Sequence, residues 1–259
     1  MRSKIWQAPP EARTSLSQAP NRVRTRQTLM VGLLLLTGIF ALAARGRTGI
    51  PQEAPSLPGP HISRATAATF PRDIYPDTGN RFPPIKREEL DDAGKKLYDT
   101  TGVADAFGPL AIRLYSLPVA DSMFGINEYL RHKSGIEPRL VELAILVTAR
   151  ELDCEYVWTA HEPAARKTGL AQQTIDVVRY RQPVAAVGET EAVIIELGRD
   201  SIGKHKVSSD TFARAVKLFG NQAVVNIVSL MGDYAATSIL LNVSDQHLRP
   251  TDKPLLPIP

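Results

Sequence analysis

Cysteine occurs once in 259 residues, at Cys154. A single thiol excludes an intrachain disulfide framework and excludes any dithiol redox cycle contained within one chain. Acidic residues are nearly absent from residues 1–50, where Glu11 is the sole carboxylate. No internal repeat is visible, which argues against a solenoid. Downstream of Pro84 no convincing alternation of apolar and polar residues appears, which argues against a sheet. The histidines outside the central motif, His61, His132, His205 and His247, lack partners at ligand spacing, so no metal site is expected.

The charge that is present is unevenly placed. Eight of the 31 basic residues fall within residues 1–50, giving this segment a net charge of +7. The remainder holds 23 basic and 26 acidic residues, a net charge of −3. The basic pI of about 9.2 therefore belongs to the leader, and the body of the chain carries no footprint for nucleic acid.

Arg22, Arg24 and Arg26 precede TLMVGLLLLTGIFALAA, residues 28–44, seventeen residues without a charge. A basic stretch, an apolar stretch and the small-residue pattern Ala41-Leu42-Ala43 predict export, with cleavage after Ala43. The apolar stretch also reaches the roughly 17–25 residues that span a bilayer, so a retained membrane anchor is the alternative. Both readings place residues 1–44 as signal peptide or signal anchor. They put the rest outside the cytoplasm, periplasmic or attached to the outer face of the inner membrane.

Residues 45–84 are rich in Pro, Gly, Ser and Thr and read as a linker ending in an extended arm. From residue 85 to 250 helical signals take over, and residues 251–259 form an extended tail. Helices are expected over 87–101, 118–133, 138–153, 154–168, 171–179, 189–201, 209–218 and 221–242. Gly108-Pro109, Gly135 and Gly169 interrupt them. Asp153 is the expected N-cap of the helix after it. The last helix is apolar nearly all round, which predicts a place in the core or in an oligomer interface.

Glu142, Cys154 and His161 stand as E-x11-C-x6-H. Seven residues make close to two helical turns, so Cys154 and His161 share a face about 10 Å apart along the axis. That separation excludes a direct hydrogen bond between them. Glu142, on the preceding helix, is able to approach that face and join His161 through a water or a substrate group. As plain structure, Glu142 would be a surface carboxylate paired with Arg139 or Arg150, and His161 would bond a neighbouring helix. Cys154 sits where a helix N-terminus favours the thiolate, while Asp153 and Glu155 oppose it. Tyr156 and Trp158 read as pocket walls or core.

The run PRLVELAILVTARELDCEYVWTAHEPAARKTGL resembles the core motif of the carboxymuconolactone decarboxylase / alkylhydroperoxidase D superfamily. In the peroxidase branch that motif is E-x11-C-x2-C-x3-H. Glu142, Cys154 and His161 match in register, and Val157 stands at the second cysteine. The resemblance extends over about residues 80–250, taking in Gly108-Pro109, Gly232, Tyr234 and Asn242. It implies an all-α, alkylhydroperoxidase D-like array of about six to eight helices. It also implies a homo-oligomer without a cofactor, acting on a small molecule.

In the peroxidase branch the second cysteine is the one that attacks peroxide, so the resemblance keeps the resolving thiol and loses the attacking one. The expectation is therefore a decarboxylase-like enzyme. Glu142 and His161 would move protons on a small organic acid or lactone, with Tyr156, Val157, Trp158, Tyr234 and Asn242 around the substrate. One alternative is a single-cysteine peroxidase using Cys154 through a sulfenic acid. The other is a catalytically inactive binding module that keeps the fold.

Overall fold

The computed structural model describes residues 71–102 and 107–258. The expected leader, residues 1–44, and most of the linker lie outside the described residues. Within them the chain is helical, with no strand and one isolated antiparallel bridge, Tyr75 to Asn80.

A 3₁₀ turn at Arg87–Glu89 precedes α1 (Asp92–Thr101), whose Asp91 N-cap accepts the Gly94 N–H. Gly108 and Pro109 open a short helix, α2 (Pro109–Arg113), that the sequence does not announce. Next come α3 (Leu117–His132) and α4 (Pro138–Glu151), each with proline in its first turn where no N–H is needed. They are followed by α5 (Glu155–Lys167), α6 (Gln172–Arg179) and α7 (Glu189–Gly198), which runs on into a π-helical turn at Arg199–Gly203.

The two helices expected near the C-terminus form one long element, α8 (Ser209–Ser244), with non-helical backbone at Gly220 (φ 78°, ψ 163°). That conformation is almost confined to glycine, so the break predicted from sequence is a kink at that residue.

Helix α4 is the axis of the domain. It packs against α5, α7 and α8, and every residue from Leu140 to Arg150 is buried. A one-sided apolar stripe understates this, because the polar side of α4 faces other helices instead of water. Glu142 and Arg150 are therefore interior charges, and each needs a partner.

The second half of α8 supplies Ile227, Leu230, Met231, Tyr234 and Leu241 to the same core. By length and composition α8 is apolar enough to cross a membrane, yet 56% of its most apolar window is buried in the fold. Val225, Val228, Ile239 and Val243 remain exposed on its outer side.

Residues 71–84, read from sequence as the end of an extended arm, are fastened to the end of α8. The Arg81 N–H donates to the Ser244 carbonyl, His247 N–H to the Gly79 carbonyl, and the Asn80 amide to Gln246. Asn80 and Ile74 are buried there. The C-terminal tail returns across α5 and α4, where Leu255 N–H donates to Thr159 and Arg150 donates to the Pro257 carbonyl.

Candidate active site

The turn between α4 and α5 sets the geometry. Cys154 N–H donates to the Ala149 carbonyl and Asp153 N–H to the Arg150 carbonyl, with Asp153 in left-handed backbone at φ 47°. This is the Schellman arrangement, with aspartate where glycine is usual. Ion pairs from Arg150 (3.3 Å) and Arg181 (3.1 Å) hold the Asp153 carboxylate there and offset the cost of positive φ. The expected N-cap shifts by one residue as a result. Asp153 ends α4, and Cys154 is the N-cap of α5.

So tight a turn folds α5 back along α4, as in an αα-hairpin. His161 Nδ1 then meets Glu142 Oε2 at 2.8 Å. The other oxygen of Glu142 accepts from Arg131, on the last turn of α3, at 3.3 Å. The ring of Tyr234, from α8, stands edge-on to His161 with centroids 5.0 Å apart. Four helices thus converge on one imidazole.

Burial works to raise the pKa of Glu142. The hydrogen bond and charge of His161, followed by those of Arg131, outweigh it and hold the carboxyl below its ordinary value. Burial pushes the phenol of Tyr234 up to about 12, outweighing the opposing charge of Arg131 and the hydrogen bond with Asn127.

His161 and Tyr234 open on a cavity of about 310 Å³. Leu110, Met123, Phe124, Val157 and Ala160 give it apolar walls, and Arg113, Asn127, Arg131 and Thr237 give it a polar side. Tyr156 also lines it, with its hydroxyl directed at Gly108. A Cβ at Gly108 (φ 87°) would fall 2.4 Å from that oxygen, so glycine is required both by the backbone and by the tyrosine.

The sequence-predicted residues separate into two groups. Glu142, His161, Tyr156, Val157 and Tyr234 come together at the cavity or its dyad. Cys154, Trp158 and Asn242 do not line it.

Cys154 is 2% exposed and belongs to the core. Burial raises its thiol pKa, outweighing the N–H groups of Val157 and Tyr156 and the Ser238 hydroxyl, so desolvation prevails over the helix N-terminus. Trp158 is fully buried, and its indole N–H donates to Glu162 at 2.7 Å. Glu162 is in turn paired with Arg166 and Arg179. Asn242 is exposed in the last turn of α8, where its carbonyl accepts the N–H of Asp245.

Sequence reasoning missed Arg113, Asn127, Arg131 and Thr237. An arginine set between Ile112 and Leu114 is a legible sign of a buried cation. Arg131 carries no such sign, since it sits in an ordinary charged helix end. The partners proposed for Glu142 from sequence are engaged elsewhere: Arg139 pairs with Glu137 and Glu191, and Arg150 with Asp153. Among the described residues, no group of three or more His, Cys, Asp or Glu side chains is arranged to hold a metal.

Residues 118–196 match the model of the carboxymuconolactone decarboxylase family. This segment is similar to the carboxymuconolactone decarboxylase family. The match runs from α3 into α7 and contains Arg131, Glu142, Cys154 and His161. The family segment thus carries the dyad and its arginine, while Arg113, Tyr234 and Thr237 reach the cavity from outside it. No curated protein matches the chain.

Proposed function

We propose that the protein is a cofactor-free acid–base enzyme of the carboxymuconolactone decarboxylase kind, acting on a small organic acid or lactone through Glu142 and His161. The observation that carries this reading is the 2.8 Å contact between a buried carboxylate and an imidazole that borders a cavity. With Glu142 ionised, the proton of the neutral imidazole sits on Nδ1 and is donated to Oε2. Nε2 is left as the basic atom for the substrate.

His161 takes a proton at Nε2 and Glu142 stabilises the imidazolium. Arg131 holds the far oxygen of Glu142 and fixes its orientation. Tyr234, a neutral phenol at pH 7, is suited to donate to an oxygen on which enolate charge develops.

Support for the single-cysteine peroxidase is weaker. A reactive thiol needs exposure and a lowered pKa, and Cys154 has neither. An exported location belongs to the proposal on the strength of residues 22–44, and N-terminal sequencing of the mature protein tests it. A chain beginning at Ala44 supports cleavage, an intact leader supports the anchor, and recovery of the intact chain in the cytoplasm overturns export. Assembly of identical subunits belongs to the proposal as well, supported by the exposed valines and isoleucine of α8.

The test is a panel assay of the full chain, with small lactones and β-keto acids in one arm and peroxides plus a dithiol in the other. Turnover in the first arm that is lost in His161→Ala and kept in Cys154→Ser supports the proposal. Peroxide consumption that disappears in Cys154→Ser overturns it in favour of the peroxidase. Silence in both arms leaves the inactive binding module as the better account.

A further inference from the structure

Arg113 ends α2 and is 7% exposed. A guanidinium does not give up its proton in a protein, so folding places a full positive charge inside. Three other arginines that are largely buried are matched by carboxylates: Arg131 by Glu142, Arg150 by Asp153, and Arg179 by Glu162 and Asp176. Arg113 has no such match among the described residues. Its Nη2 donates to a neutral hydroxyl, Thr237 Oγ1, at 2.6 Å.

The remaining N–H groups of Arg113 are not sealed in protein. Buried nitrogens without a partner occur on Arg131, Arg150 and Arg179, but none on Arg113, which lines the cavity it shares with His161. Its donors therefore open on the space a ligand would occupy.

The acids in reach do not take this role. Glu142 is engaged by His161 and Arg131. Glu128 on the cavity lining is engaged by Lys133. Asp233 lies close enough to act on Arg113 electrostatically, but it is not within ion-pair distance of it, its carboxyl is buried and accepts from Asn127 at 2.7 Å, and it does not line the cavity.

We propose that Arg113 anchors a carboxylate of the ligand, so that the cavity selects a small organic acid over a neutral lactone or amide. The proposal deepens the acid–base reading of the same site and rests on it only for the cavity being the place where the substrate binds. A buried guanidinium supplies two parallel N–H donors to one carboxylate, the geometry in which a charge-assisted pair is strongest. Thr237 holds the guanidinium by one nitrogen and leaves its other donors to the ligand. A cavity of about 310 Å³ has room for one small molecule.

The experiment is calorimetric titration of the full 259-residue chain at neutral pH with two matched pairs, benzoate against benzamide and hexanoate against hexanamide. Each pair differs in charge and hardly in shape. The expected result is that each acid binds about tenfold or more tightly than its amide. Arg113→Gln should erase the preference and Arg113→Lys should retain part of it. His161→Ala should keep it, because the anchor and the base are separate groups.

Equal affinity for acid and amide in the wild type overturns the proposal, as does an absence of binding by both acids. A preference that survives Arg113→Gln overturns it too. The wild-type comparison needs no variant and so stands even if Arg113→Gln fails to fold. A carboxylate preference in a protein whose turnover is indifferent to His161→Ala would sink the acid–base reading and leave the anchor in place.

Discussion

The pairing of Glu142 with His161 illustrates how a buried charge becomes usable. An isolated carboxylate in the interior would take up a proton, whereas this one is held ionised by an imidazole and a guanidinium. In the proposed reaction, Glu142→Gln and His161→Ala should each lower kcat about 10²- to 10⁴-fold with the fold retained by circular dichroism. The same pairing has a thermodynamic consequence. The folded pKa of Glu142 lies below its ordinary value of 4.5. Its contribution to stability is therefore fully present above that pH and is lost as pH falls through the folded pKa. The difference in Tm between wild type and Glu142→Gln should shrink on acidification below about pH 4.5, and a difference that is constant with pH would refute the linkage. Cys154 behaves oppositely, as a small apolar filler. Cys154→Ser should keep turnover and lose about 1–2 kcal/mol of stability, read by urea denaturation. The native thiol should resist an aromatic disulfide reagent until the protein unfolds.

Each helix boundary that matters to the site is set by a residue with a specific backbone role. Asp153 accepts left-handed backbone because two arginines hold its carboxylate, and this tight turn is what lays α5 on α4. Gly108 frees a corner of the cavity for Tyr156 and starts α2, which carries Arg113. Gly220 divides α8, and both halves reach the same core, Ala215 from the first and Tyr234 from the second. Gly220→Ala places a Cβ where backbone of that shape is almost restricted to glycine. It should cost about 1–3 kcal/mol in chemical denaturation, whereas Gly232→Ala, on regular helix with open space around it, should be neutral or mildly stabilising.

At the scale of the whole molecule, α8 has two apolar sides. One forms the core with α4 and α7. The other leaves Val225, Val228, Ile239 and Val243 in contact with solvent at helical spacing. Under the proposed assembly, Val225→Lys combined with Ile239→Lys should shift the mass measured by light scattering to that of one chain. A mass unchanged by both substitutions would locate any assembly elsewhere. The residues fastened to the end of α8, 71–84 and 245–247, extend the folded unit upstream of the boundary at residue 85 expected from composition. A Pro-rich stretch shows no apolar period even when it packs, because its anchors are single side chains and backbone hydrogen bonds.

The sequence by itself determined the helical class, most helix boundaries, the family resemblance of the central segment, and the placing of Glu142 and His161 on adjacent helices. These follow from local signals: proline and glycine positions, helical periodicity, and a motif whose spacing lies within two adjacent helices. The direct 2.8 Å contact of Glu142 with His161 came from the tertiary structure. Only the tertiary structure decided that Cys154 is sealed in the core, that Trp158 points to Glu162, and that Asn242 faces solvent. It alone identified Arg131 as the partner of Glu142 and brought Arg113 and Thr237 to the cavity. The physical reason is that burial and electrostatic partnership depend on which helices become neighbours. Arg113 and Thr237 are 124 residues apart in the chain, and no period or spacing in the sequence encodes their meeting.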